Sequence, residues 1–330
     1  MEVLENRMEG LYCPAGDFFI DPRGQVKNAL ITHAHSDHAR AGHNQYLCSE
    51  NCTSLLQVRI GKDAKIEGLK YGEKRKIGDA LVSFHPAGHI LGSAQIRIEV
   101  KGCVWVVSGD YKPQADSTCE SFELVPCDGF ISECTFGLPV YHWADESEIH
   151  REMNQWWREN KKADEISLLF AYSLGKAQRV LAGLDAEIGK IYVHGAVDSF
   201  LEHYARAGVV LPAVEVVNRN KDQPYGGSLV VAPPAVEDSA WTRGFRGAKR
   251  GFASGWMAIR GARRRRNLDR GFVLSDHADW NGLIEVIEGT GAETVKVTHG
   301  NGDALSAFLR ERGLDAEVLK GAVIRGEEEE

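Results

Sequence analysis

Short apolar runs recur along the chain, of a length that suits strands better than helices. In the first part they fall at 17–21 (closing on Asp21-Pro22), 27–32, 80–84, 94–100, 103–107 and 129–132. The 103–107 run is apolar throughout, as expected of a strand buried on both faces. From 145 to 161 the period changes, and Ile149, Met153, Trp156 and Trp157 fall on one face of a predicted amphipathic helix. A strand at 166–171, a helix opening at 174–180, a strand at 191–193 and a further helical stretch after His194-Gly195 then alternate. That alternation predicts a parallel sheet and an α/β fold. Two more strands close the pattern, at 272–274 and 294–298.

The polar residues at the ends of these runs carry the chemistry. Thr32-His33-Ala34-His35-Ser36-Asp37-His38 follows the 27–32 strand and sets three imidazoles and a carboxylate within six residues. Imidazole and carboxylate suit zinc and similar divalent ions. A tight turn can aim His33 and His35 at one ion and Asp37 and His38 at a second, about 3.5–4 Å away. A solvated loop or a helix cap would account for one such histidine but not for the set. His89 lies between two strands and is flanked by small residues, with His85 the weaker candidate beside it. Asp110 ends the apolar 103–107 strand, where a carboxylate is costly unless paired or metal-bound, and is placed to bridge two ions. Glu133 follows the 129–132 strand and can orient a catalytic group, and Asp21 can orient a ligand histidine from behind. Ser275-Asp276-His277-Ala278-Asp279 and the strand-end His299 repeat the same placement late in the chain.

Charge adds one feature. The 330 residues carry a formal net charge of −8, which argues against a protein that coats nucleic acid non-specifically. Against that background Arg243, Arg246, Lys249, Arg250, Arg260, Arg263 to Arg266 and Arg270 form a basic tract offset locally by Asp269 alone, favouring a nucleic-acid track. Trp256 could stack on a base, although a core position suits it better. The helix after Ser173, bearing Lys176 and Arg179, is a candidate anion site. The seven cysteines form no CxxC pair, and Cys48 and Cys52 read best as buried thiols, so reduced thiols in a cytoplasm are expected. The acidic N-terminus has no apolar signal core and no run approaches a membrane span, so no membrane association is expected.

Taken together, the motifs resemble the metallo-β-lactamase superfamily in its β-CASP nucleic-acid-processing branch. The resemblance rests on the 32–38 cluster, Ala87-Gly88-His89-Ile90-Leu91-Gly92-Ser93 and Ser108-Gly109-Asp110-Tyr111. The marks of the branch are Glu133-Cys134-Thr135-Phe136-Gly137, Ser275 to Asp279 and Val297-Thr298-His299-Gly300. Tyr172 to Gln178 and Ala253-Ser254-Gly255-Trp256-Met257 echo its inserted domain. Within the branch the chain is most similar to bacterial ligase-associated DNA exonucleases, relatives of the Artemis-type nucleases and of the mRNA 3′-end cleavage subunit.

That resemblance implies a four-layer αβ/βα sandwich built from residues 1–137 and 271–330, with a small α/β β-CASP domain, 138–270, inserted late. The insertion is short for the branch. His33, His35 and His89 would hold one ion, Asp37, His38 and His299 the other, and Asp110 would bridge. Zn²⁺ fits these ligands best and Mn²⁺ also accepts them. His277 would be the general acid, supported by Glu133, with Asp21 behind the metals. Candidate substrate contacts, in a cleft between the domains, are Ser173, Lys176, Arg179, His194, Ser254, Arg260 and Arg264. The implied activity is hydrolysis of DNA phosphodiesters by metal-activated water, an exonuclease of DNA repair with DNA preferred over RNA, in the company of an ATP-dependent DNA ligase and a helicase. An RNA 3′-end processing nuclease would need the same ligands. A small-molecule thioester or lactone hydrolase is disfavoured by the basic tract and the insertion, and a non-enzymatic binding module by the intact ligand set.

Overall fold

The computed structural model describes residues 3–218, 225–259, 261 and 266–319. They form a mixed α/β protein that divides into two compact units. One holds the chain up to His142 and again from His277, and the other holds Trp143–Asp276.

The first unit contains two sheets. In one, Glu5–Arg7, Gly10–Cys13 and Phe18–Ile20 pair antiparallel, and Asn28–Leu30, Gln45–Ser49 and Ile66–Leu69 follow in parallel. The other runs Asp315–Val318, Thr294–Thr298, Gly129–Glu133 and Cys103–Val107 in parallel, then Ala94–Val100, Ala80–Pro86 and Arg75–Ile77 antiparallel. Side chains alternate across a strand, so an apolar run can serve two cores at once. Trp105, Val107 and Ile131 join Phe18, Ile20 and Leu30 of the first sheet in one cluster. Val106 and Phe130, one position out of phase, pack with Leu283 and Ile287 of helix Trp280–Gly289 and Leu305 and Leu309 of helix Gly302–Glu311. This two-sided burial explains why 103–107 lacks the polar alternation of a half-exposed strand.

In the second unit six strands are all parallel, in the order Glu215–Val216, Ile191–Val193, Leu229–Ala232, Ser167–Phe170, Lys249–Ala253 and Arg270–Phe272. Helix Glu146–Lys162 starts at Asp145, whose Oδ1 accepts the Ser147 N–H at 2.8 Å. Its predicted apolar face, Ile149, Met153, Trp156 and Trp157, packs with Leu169, Val231 and Phe272. Gly175, at φ 86°, turns the chain into the helix Lys176–Ala182, which therefore starts two residues later than the pattern predicts. The strand expected at 272–274 forms earlier, because Gly251 to Ala253 pair in register with Arg270 to Phe272. That pairing joins Arg270 to Phe272 to this unit, which runs on to Asp276.

All seven cysteines are free thiols, and Cys48 and Cys52 are fully buried. Among the described residues no helix is long and apolar enough to cross a membrane.

Candidate metal centre

Most of the candidate ligands of the first unit sit where parallel strands end. Asp21 follows Phe18–Ile20, the 32–38 turn follows Asn28–Leu30, Asp110 follows Cys103–Val107, Glu133 closes its strand and His299 follows Thr294–Thr298. Carboxyl ends of parallel strands gather side chains from elements distant in sequence. The register Glu133↔Thr298 places His299 beside Glu133, and Val107↔Ile131 brings the turn at Asp110 next to both. His89 arrives on a loop whose shape is set by Ser93, since Ser93 Oγ accepts the N–H groups of His89 and Ile90 at 3.1 and 3.2 Å.

Three imidazole nitrogens converge. His35 Nδ1 lies 3.2 Å from His33 Nε2 and 3.1 Å from His89 Nε2, and Asp110 Oδ2 lies 3.5 and 3.8 Å from the same two Nε2 atoms. Ligands bound at about 2.0–2.1 Å around a tetrahedral ion stand about 3.3 Å apart, so these separations suit one ion. A second grouping adjoins the first through Asp110, with His38 Nε2 3.5 Å from Oδ2 and His299 Nδ1 3.7 Å from Oδ1. Asp37 Oδ2, on a half-exposed side chain, lies 3.6 Å from His38 Nε2. His38 Nε2 and Asp110 Oδ1 are buried without a hydrogen-bond partner. Leaving such atoms unmatched costs about 1–3 kcal/mol each, a cost a divalent cation would remove. Donor chemistry, spacing and unmatched atoms all fit divalent metal binding.

A layer of hydrogen bonds fixes these ligands. Asp21 adopts φ 41° and accepts from Thr32 N at 2.8 Å, Thr32 Oγ1 at 2.6 Å and His38 Nδ1 at 2.8 Å. His38 thereby turns Nε2 toward Asp110. Glu133 accepts the backbone N–H of Tyr111 and of Thr135 at 3.0 and 3.1 Å, and its Oε1 lies 2.8 Å from His277 Nδ1. The His277 and His89 rings stand 4.6 Å apart.

Without metal, burial alone would lower His38, but Asp37, Asp110 and Asp21 hold it charged, well above its ordinary value. Burial and the neighbouring His38 push His33 well below it, and burial lowers His299. Asp110, against the cost of burial, is held well below the usual carboxylate range by His38 and His277.

Other expectations come out differently. His85 pairs with Glu123 and Ser83, both at 3.0 Å, and belongs to none of the ligand groups among the described residues. In the second unit Ser173, His194 and Ser254 each follow a strand at the carboxyl edge of its sheet. His194 Nδ1 accepts the Ala196 N–H at 3.0 Å to start helix Gly195–Arg206, and Ser254 Oγ accepts the Trp256 N–H at 3.3 Å. Lys176 and Arg179 are not cations facing an anion site. They are fully buried, Lys176 paired with Asp276 and Arg179 bound to Glu146 and the Ser275 carbonyl. The basic tract is also more neutralised than its sequence shows. Glu237 takes Arg250 and Arg266, Glu152 takes Arg270, and Glu165 takes Lys249, all from distant segments. Trp256 is partly buried against the Phe252 cluster. Arg260 and Arg264 lie outside the described residues, as do Arg263 and Arg265. Thr32, Ser93 and Asp276, which the structure shows to be structural partners of the site residues, carry no signal of their own beyond standing beside a candidate ligand.

No protein-family model matches the chain. It is 31% identical over 310 residues to a protein of Opitutus terrae named "Probable DNA ligase", a match covering 93% of this chain and 30% of that protein. It is 32% identical over 126 residues to "Endoribonuclease YSH1" of Candida glabrata, covering 37% and 16%. With an "RNase J-like protein" of Methanocaldococcus jannaschii it shares 24% over 232 residues, covering 61% and 55%. The chain thus spans under two thirds of the length of each of these relatives. A crystal structure of a protein of unknown function from Enterococcus faecalis V583 shares the fold, with a TM-score of 0.56 at 12% identity over 82% of this chain and 74% of that one. The motifs and these relatives agree, and the chain is similar to the β-CASP branch of the metallo-β-lactamase superfamily.

Proposed function

We propose that the protein is a metal-dependent phosphodiesterase that degrades DNA, an exonuclease of DNA repair. The observation that carries the chemistry is the adjacency of a convergent imidazole set to a histidine held by a buried carboxylate. DNA is favoured over RNA because the relative matched across 93% of the chain is named for DNA ligase, whereas the ribonuclease relatives cited match 37% and 61% of it. That same relative's name supports a DNA ligase as partner, and the family resemblance adds a helicase. On this reading the first unit is the four-layer catalytic sandwich and the second is the inserted substrate-clamping domain, its contacts including Ser173, His194 and Ser254.

His33, His35 and His89 would hold one divalent ion and Asp37, His38 and His299 a second, with Asp110 between them; zinc suits these donors best and manganese is accepted, and such ions supply Lewis acidity toward water and phosphate. The chain's own residues do the rest. Asp21 and Thr32 keep His38 oriented. Glu133 accepts a hydrogen bond from the Nδ1–H of His277 and stabilises its imidazolium, leaving the Nε2 proton for transfer. Water gives up one proton to solvent as its oxygen forms a bond to phosphorus, the bond from phosphorus to the leaving 3′ sugar oxygen breaks, that oxygen takes the His277 Nε2 proton, and solvent returns a proton to His277. The products are a 5′-phosphate and a 3′-hydroxyl.

The test is a paired digestion with Mn²⁺ or Zn²⁺ of end-labelled single-stranded DNA and RNA of one sequence, beside His35→Ala. Stepwise loss of DNA from one end, absent in the variant, is expected. Digestion of RNA alone would transfer the assignment to RNA processing, and inertness toward both would favour a small-molecule hydrolase.

A further inference from the structure

We propose that Lys176 and Arg179 are positioning residues for His277, fixing the chain immediately before the general acid. This rests on the reading of His277 given above. Ser275 and Asp276 are the two residues that precede it. Arg179 Nη1 donates to the Ser275 carbonyl at 2.9 Å and to Glu146 Oε1 at 3.0 Å, and Lys176 Nζ lies 2.6 Å from Asp276 Oδ1. Lys176 and Asp276 are 0% and 3% exposed at the side chain, so water does not weaken the pair.

The turn that presents these cations is itself fixed. Gln178 Oε1 accepts the Gly175 N–H at 2.7 Å, and Gln178 Nε2 donates to the Ser173 carbonyl at 3.0 Å. After His277 the chain is held again, because Ala278 N donates to the Tyr111 carbonyl at 2.7 Å while Tyr111 N donates to Glu133. The chain is therefore held on both sides of His277, while Glu133 fixes the ring at Nδ1. A buried ion pair is a poor device for stability alone, since apolar residues of similar volume commonly do as well. It is a good device for setting direction, because a misplaced general acid loses rate without loss of fold.

The test variant is Lys176→Met with Asp276→Asn, which removes the pair without stranding a charge. The first readout needs neither metal nor turnover. In ¹⁵N-labelled metal-free protein, the Nδ1–H of His277 held by Glu133 gives an exchange-protected imidazole resonance, identified by its absence in His277→Gln. The signal is expected to be lost or broadened in the double variant and kept in Lys176→Arg. Its persistence unchanged in the double variant overturns the proposal. The second readout compares DNA with bis(p-nitrophenyl) phosphate, whose leaving group departs without a proton. The ratio of the two rates is expected to fall about 10-fold or more in the double variant. An equal loss on both substrates shows a merely structural role and also overturns it. If the double variant fails to fold, Arg179→Lys, which keeps the charge but loses the fork at the Ser275 carbonyl, is read in the same way. Wild-type protein that cleaves neither phosphodiester defeats the proposed function, and the resonance then still decides the positioning role.

Discussion

Glu133 Oε1 lies 2.8 Å from His277 Nδ1, although the two residues are 144 positions apart in the chain. Glu133 is buried and also accepts two backbone N–H groups, so its carboxylate cannot swing away from the imidazole. His277→Gln should lower phosphodiester hydrolysis by about 10²–10⁴-fold, the usual contribution of a general acid, with metal content unchanged. Glu133→Gln keeps the shape but removes the charge, and should cost about 10–100-fold. Steady-state rates alongside metal analysis check both. Loss of bound metal in His277→Gln would make His277 a ligand instead.

The second prediction concerns metal binding. Removal of metal by a chelator should lower the melting temperature, because the site removes the cost of His38 Nε2 and Asp110 Oδ1 only when a cation is held. At free metal about 100-fold above the dissociation constant, linkage amounts to about 2.7 kcal/mol. Asp110→Asn should bind less of both ions, whereas His89→Ala should chiefly lose one. Elemental analysis after gel filtration distinguishes them. Full occupancy in Asp110→Asn would remove its bridging role.

Legibility followed the locality of the signal. The 32–38 cluster stands out because one turn carries four candidate ligands, Asp110 and His299 because each follows a strand where a polar residue needs a reason, and His89 because small residues flank it on its loop. The amphipathic face of Glu146–Lys162 was legible from Ile149, Met153, Trp156 and Trp157 alone. Long-range pairing was not. Lys176 and Arg179 read as a solvent-facing anion site, since nothing in 174–180 announces that Asp276 and the Ser275 carbonyl lie against them. The acidic partners of Lys249, Arg250, Arg266 and Arg270 were hidden for the same reason, as Glu165, Glu237 and Glu152 reach them only in the folded chain. Three-residue strands such as Glu5–Arg7 and Arg75–Ile77 owe their existence to neighbours rather than to their own pattern.

The third prediction is a pH dependence of the metal-free protein. His38 is buried, yet Asp37, Asp110 and Asp21 raise it well above 6.5, its ordinary value, with His33 and His299 opposing from the same cluster. A raised native value means that His38 contributes stability fully below about pH 6.5, and that this is lost as pH rises through the native value. His33, with its native value lowered, behaves oppositely, its contribution fading as pH falls below 6.5. His38→Gln isolates the first effect. In urea unfolding with chelator present, the variant should be less stable than wild type at about pH 6, and the gap should narrow as pH is raised. A gap that stays constant would show that His38 is neutral in the metal-free fold.

The fourth prediction tests whether the ligand turns tolerate ordinary backbone. Gly300 follows His299 at φ 49°, and a Cβ there would lie 2.1 Å from the Cys134 carbonyl oxygen. His299 itself sits at φ 64°, with its own carbonyl accepting from the Cys134 thiol at 2.7 Å, so the turn is already committed on both residues. Gly300→Ala must therefore move the backbone that carries His299. It should destabilise the protein by about 1–3 kcal/mol and lower occupancy of the ion shared by His38 and His299. Gly291 is the control, since it also has positive φ, 70°, but a Cβ there would meet nothing within 4 Å. Gly291→Ala should show the backbone cost alone, with metal content intact. Were both variants to lose metal equally, the close approach at Cys134 would not be what sets His299 in place.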